Sequence, residues 1–273
     1  MPMIDGHDGA PLHIKDMGKG QPVVLIHGWP LTGDMWEYQS LALIEAGYRV
    51  ITYDRRGFGH SGHPAGGYDY DSFADDLADV LDAADARDAA LVGFSMGGGE
   101  VVRYLARRGT SRVSKVALVS SVVPYLLRDD SNPEGVDRSV FTGMQEQIRK
   151  DRFAFLGTFA QQFYGVGWVT SPVSKELLDW TFALAIMASP KATLDCIDAF
   201  AATDFRDDLQ ALTCPTLVIH GTADKTVPIE PTARTLARLV PHAQLIEYDG
   251  EPHGLFATAP ERLNADLLAF LNA

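Results

Sequence analysis

The sequence predicts an α/β protein: a mostly parallel, doubly wound sheet with a helical cap inserted before its last two strands. Three observations carry this reading. Short runs of branched apolar residues, such as Pro22–Ile26, Val116–Val119 and Pro215–Ile219, suit strands buried on both faces. Segments with apolar residues at helical spacing lie between those runs, and such alternation implies crossover helices on both faces of a parallel sheet. From about Val122 to Thr203 the strand-like runs stop and aromatic-rich helical patterns take over, after which the strands resume. The expected division is therefore a core of residues 1–121 and 204–273 with residues 122–203 as the cap.

Leu12–Lys15 alternates like a strand, and Met17–Gly20 reads as the turn after it. Pro22–Ile26 follows as the first buried strand and ends in His27-Gly28-Trp29-Pro30. Met35–Ala46 reads as a helix stopped at Gly47. Arg49–Asp54 is the next strand, leading into Arg55-Arg56-Gly57-Phe58-Gly59-His60-Ser61-Gly62. The spacing of Phe73, Leu77, Val80 and Leu81 predicts a helix over 71–86. Ala89–Phe94 is a strand, and Val101, Val102, Leu105 and Ala106 give the helix after it an apolar face. Within the cap, Phe153, Phe155, Phe159 and Phe163 and then Leu177, Leu178, Trp180, Phe182 and Ile186 mark helices. Beyond it come the strand Pro215–Ile219, a helix over 231–239, the strand Gln244–Tyr248 and a closing helix over about 260–271.

Composition narrows the function. With 46% apolar and 22% charged residues, the 273-residue chain has the make-up of a globular protein with a sizeable core. A net charge of −13 would repel nucleic acid or an anionic membrane, so neither is expected as a partner. Met1–Gly9 has neither a basic nor an apolar leader segment, and no apolar run reaches the ~20 residues of a membrane helix. A cytoplasmic location is the expectation. Cys196 and Cys214 lack metal-ligand spacing and read as free thiols of a reducing compartment, with one disulfide as the alternative.

The chemistry centres on Leu91-Val92-Gly93-Phe94-Ser95-Met96-Gly97-Gly98-Gly99-Glu100. A strand, a sharp turn and a helix start enclose a Gly-x-Ser-x-Gly pentapeptide, the nucleophile elbow of α/β-hydrolases. Small neighbours two residues either side of the serine keep strand and helix from colliding, and the serine sits at a helix N-terminus that favours negative charge. Serine needs a base, and the base an orienting acid. In this fold the chain order is serine, acid, histidine. Only His220, His242 and His253 follow Ser95. His242 lies at the wrong end of its strand and His220 is expected to pack at a strand end, which leaves His253, in the loop after the last strand. Asp224, just past Gly221, is favoured as the acid, with Asp129 and Asp130 as competitors. An oxyanion also needs backbone donors, assigned to the N–H groups of Met96 and Trp29.

Together, His27-Gly28-Trp29, Asp54-Arg55-Arg56-Gly57-Phe58-Gly59, Gly93–Glu100 and His220-Gly221-Thr222-Ala223-Asp224 resemble the α/β-hydrolase superfamily over the whole length. The Ser-Met-Gly-Gly-Gly-Glu run resembles in particular the bacterial cofactor-free haloperoxidase, arylesterase and perhydrolase group. That resemblance implies serine esterase chemistry on small carboxylic or aryl esters. It further implies peracid formation from a carboxylate and H2O2, followed by halide oxidation, with no metal or other cofactor and possible assembly into trimers or hexamers. A lactonase or C–C hydrolase would use the same triad, and a non-catalytic hydrolase-fold receptor could keep the pocket. Proline removes its own N–H and restricts the residue before it, so Pro30 is expected to aim the Trp29 carbonyl at an incoming peroxide. Trp29, Pro30, Phe94, Met96 and Val122, with Phe141, Phe159 and Phe163 from the cap, are the candidate pocket lining.

Overall fold

A computed structural model describes residues 3–273 apart from Trp168; Met1 and Pro2, part of the stretch read as lacking a leader, lie outside the described residues. Eight strands form one sheet: β1 (Met3–Asp5), β2 (Pro11–Gly18), β3 (Pro22–Ile26), β4 (Arg49–Tyr53), β5 (Ala89–Phe94), β6 (Val113–Val119), β7 (Thr216–Gly221) and β8 (Gln244–Tyr248). Their spatial order is β1-β2-β4-β3-β5-β6-β7-β8. β1 and β2 pair antiparallel at one edge, and every pairing from β4 to β8 is parallel.

The continuous apolar runs are explained by what lies on either side. Val24, Ile26, Leu91, Val116 and Leu118 face a layer that includes Leu77, Val80, Val101 and Leu105, from helices α2 (Tyr70–Ala83) and α3 (Met96–Arg108). Their sequence neighbours Val23, Leu25, Val92 and Ala117 face the opposite layer with Leu43, Leu263, Leu267 and Leu271. That layer is formed by α1 (Glu37–Glu45) and the closing helix Pro260–Asn272. Both faces are dry, so alternation is lost from the sequence. Asp69 caps α2, its side chain accepting the Ser72 N–H at 2.9 Å, and the helix ends at Ala83, before the 86 expected.

Between β6 and β7 the chain runs through α4 (Arg138–Phe163), α5 (Lys175–Ile186) and α6 (Pro190–Ala202). α4 is broken at Asp151, whose backbone is non-helical and whose carboxylate caps the second half by accepting the Ala154 N–H at 3.0 Å. Trp29, at the end of β3, pins this layer to the sheet. Its indole N–H donates to the Thr193 carbonyl at 3.1 Å, and its ring meets Phe159 and Phe200 at centroid distances of 5.3 and 5.7 Å. Phe153, one of the aromatic markers of the cap, points outward and is 56% exposed.

Several elements differ from the sequence expectation. β1 is a three-residue strand too short to read, and β2 runs on through Met17 and Gly18, so the turn comes later. Met35–Ala46 divides into a 3-10 turn over Gly33–Trp36 and α1. The helix expected over 231–239 opens as a π-type turn over Glu230–Arg234 and becomes α7 (Thr235–Leu239). A further short helix, α8 (Leu255–Thr258), precedes the closing helix, α9. Cys196 and Cys214 are both buried and free.

Candidate active site

Ser95 sits between the end of β5 and the first turn of α3 with φ 53° and ψ −118°, a conformation that costs a non-glycine residue energy and persists only where its surroundings hold it. Its N–H donates to the Val119 carbonyl of β6 at 2.9 Å. The flanking glycines are required by contact: a Cβ at Gly93 would lie 2.6 Å from the Gly97 carbonyl oxygen, and one at Gly97 would lie 2.6 Å from that of Ile26. Sheet and helix approach too closely there for any side chain. This turn holds the serine hydroxyl above the carboxyl end of the sheet.

The loop after β8 brings His253 to the same place. Its Nε2 lies 3.0 Å from Ser95 Oγ and its Nδ1 lies 2.6 Å from Asp224 Oδ2. The loop after β7 supplies Asp224. Its other oxygen accepts the N–H groups of Thr226 and Val227 at 2.9 and 2.8 Å. Burial opposes ionisation of this carboxyl, but the His253 and His220 rings outweigh it and hold the group below its ordinary range. Asp129, one of the rival acids, instead accepts hydrogen bonds from Ser131, Asn132 and Tyr125. His220 packs at its strand end as expected, and it also has partners. Its Nε2 faces the Val227 carbonyl at 2.8 Å and Asp224 Oδ2 at 3.2 Å. Two acceptors on one nitrogen require that nitrogen to carry the proton, so His220 ties the acid to its own loop.

The β3 end lies against the serine: a Cβ at Gly28 would come within 3.0 Å of Ser95 Cβ. Neither Trp29 N–H nor Met96 N–H, the first of α3, has an acceptor among the described residues. A buried polar network holds this loop. Arg55 donates through Nε to Glu100 Oε2 at 2.7 Å and through Nη2 to the His27 carbonyl at 2.8 Å. Tyr53 also donates to Glu100. His27 Nε2 accepts the Arg55 N–H at 2.9 Å, which leaves the Nδ1 proton for the Gly28 carbonyl at 2.9 Å. Burial, reinforced by the Arg55 charge, pushes the His27 pKa well down and keeps the ring neutral. Burial also raises the Glu100 carboxyl, against the pull of Arg55 and Tyr53. In the sequence Arg55 and Glu100 stand only as motif letters without an assigned role. The available signal was a charged pair spelled inside otherwise apolar, glycine-rich segments.

A cavity of about 370 Å³ opens over Ser95 and His253. Of the candidate lining residues, Trp29, Val122, Phe141 and Phe159 face it, joined by Leu126, Val136, Met144, Phe155, Phe200 and Val227. Pro30, Phe94, Met96 and Phe163 do not line it. Phe94 is fully buried beneath Ser95 and His253, packed on His253, Phe163 and Phe256, because side chains of successive β5 residues alternate faces. Phe163 stands edge-on to the His253 ring at 4.8 Å and acts as its support. Pro30 faces a small separate void beside Leu156 and Phe163. Met96 is 1% exposed and belongs to the core on the α2–α3 side of the sheet.

Residues 21–260 match the family model described as the alpha/beta hydrolase fold. The chain is 43% identical to a non-heme chloroperoxidase of Kitasatospora aureofaciens, with 100% of both chains covered. It is 39% identical to a bifunctional esterase/perhydrolase of Acinetobacter calcoaceticus, again over 100% of both. A crystal structure of a bromoperoxidase from Bacillus anthracis superimposes with a TM-score of 0.95 at 45% identity, covering 100% of each chain.

Proposed function

The chain belongs to the α/β-hydrolase family, in its haloperoxidase and esterase group, and on that footing we propose that it is a serine esterase for small carboxylic and aryl esters that also makes peracids from a carboxylate and H2O2. The observation that carries the reading is the hydrogen-bond chain from Ser95 Oγ through His253 to Asp224, 3.0 and 2.6 Å long, at the floor of an apolar cavity.

In this mechanism Ser95 Oγ gives its proton to His253 Nε2 as it attacks the ester carbonyl. The Trp29 and Met96 N–H groups receive the oxyanion, and the first turn of α3 adds its dipole. Asp224 stabilises the imidazolium without taking its proton. Collapse breaks the C–O bond, and the alcohol leaves with the proton from His253. Water then attacks the acyl-Ser95 to give the acid, or H2O2 attacks to give the peracid; when a free carboxylic acid is the donor, Ser95 is acylated by the reverse of that hydrolysis, with its hydroxyl attacking the carboxyl carbon and water leaving. The peracid oxidises halide by two electrons to hypohalous acid as its O–O bond is reduced, and the carboxylate is regenerated. The reading is supported by relatives named as a chloroperoxidase and as an esterase/perhydrolase.

The test is to follow p-nitrophenyl acetate hydrolysis and acetate- and peroxide-dependent bromination in one preparation. Both activities should fall by at least about 10³-fold in Ser95→Ala. Bromination that continues without any carboxylate, or that survives the substitution, contradicts the peracid route.

A further inference from the structure

The cavity over Ser95 leads past Thr158, Gln162 and Lys225, and the same three residues also line a groove on its outer side, with Gln161, Thr170 and Pro252. Charge along this path is one-sided. No Asp or Glu among the described residues lines either space, although the chain has 36 acidic residues and a net charge of −13. Lys225 is the one Lys or Arg on both walls, and its ammonium has no carboxylate partner among the described residues. Its backbone is fixed on both sides. Asp224 precedes it, and the Thr226 and Val227 N–H groups donate to Asp224 Oδ1 at 2.9 and 2.8 Å. His220 holds the Val227 carbonyl at 2.8 Å. The base of the lysine side chain is thus locked to the triad acid.

Building on the esterase reading above, we propose that Lys225 is a specificity-determining residue that favours esters carrying a carboxylate on the alcohol portion. The inner wall of the cavity, with Val136, Phe141, Met144 and Phe200, is apolar and suits an uncharged acyl chain. With the acyl chain inside, the leaving group lies toward the outer path, where the Lys225 ammonium and the Gln162 amide can donate to an anion, while the Thr158 hydroxyl already donates to the Ala154 carbonyl at 3.1 Å. A lysine acts there as a compact point charge with three donors. Because the ammonium is exposed and screened by solvent, selectivity of roughly 3- to 10-fold is expected.

Two acetate esters of nearly equal size separate charge from shape: 4-acetoxybenzoate and 4-acetoxybenzamide. Turnover is measured in the wild type, Lys225→Gln and Lys225→Arg, and binding is measured by calorimetry in the same three forms carrying Ser95→Ala. The preference for the benzoate over the benzamide should drop by roughly 3- to 10-fold in Lys225→Gln, survive in Lys225→Arg and shrink with added salt. An equal preference in all three forms, or no detectable benzoate binding when Lys225 is present, overturns the assignment. If wild-type protein cleaves neither ester, the esterase reading fails, while the binding ratios still decide the role of Lys225.

Discussion

Asp224 shows how much a single residue contributes. It is buried, yet every polar atom facing it favours its ionised form: two backbone N–H groups, the His253 ring and the His220 ring. Its folded-state pKa lies below the ordinary 3.8. Above about pH 4 the carboxyl is ionised in both folded and unfolded chains, and the stabilisation is fully present. As pH falls further the unfolded chain takes the proton first, so the stabilisation drains away toward the lower folded-state pKa. Asp224→Asn should therefore make the loss of stability between about pH 4 and 2 shallower than in the wild type. Urea-denaturation midpoints over that range measure it, and parallel curves would refute the account. At this scale chain order and strand-end position pointed to Ser95, Asp224 and His253, with Asp129 and Asp130 left as competing acids, and the structure brings those first three within hydrogen-bond distance. The second contact of His220 was not legible, because a histidine next to a glycine at a strand end says nothing about what lies across the loop.

At the scale of elements, the turn at Ser95 depends on two neighbours, the end of β3 and the first turn of α3, which Arg55 and Glu100 join. Both side chains are fully buried, and removing one partner leaves a charge without compensation in the core. Glu100→Ala should cost about 3–5 kcal/mol in chemical denaturation, and a cost within 1 kcal/mol of zero would mean the pair is dispensable. Pro30 belongs to the same loop. If it aims the Trp29 carbonyl at peroxide, Pro30→Leu lowers the ratio of perhydrolysis to hydrolysis severalfold, as read by peracid and acid yields from one acyl donor. An unchanged ratio removes that role. Buried strands were readable because burial on both faces leaves unbroken apolar runs. The short elements β1 and α8 were not, since three or four residues carry no period. The break in α4 escaped because an aspartate inside a helical pattern looks like any exposed residue until its side chain is seen capping the next turn.

Over the whole molecule, the ends of the strands hold Ser95, Asp224 and His253, and the inserted helices enclose the cavity over them. Which cap aromatics line the cavity could not be read, because helical spacing marks an apolar face without saying whether it meets the core or the substrate. Phe163 went to the core side and Phe141 to the cavity. Phe200 closes the inner wall, packed on Trp29 and Phe141 at centroid distances of 5.7 and 6.2 Å. Phe200→Ala should deepen the cavity and raise kcat/KM for p-nitrophenyl hexanoate relative to the acetate by roughly tenfold; a chain-length profile identical to wild type would place the acyl group elsewhere. If Ser95 carries the acyl group, acid-quenched turnover of p-nitrophenyl acetate followed by peptide mass mapping should find an acetyl group on the peptide containing Ser95, accompanied by a burst of p-nitrophenol and absent in Ser95→Ala. Undiminished turnover in Ser95→Ala, or acetyl groups found only on other residues, would contradict that role.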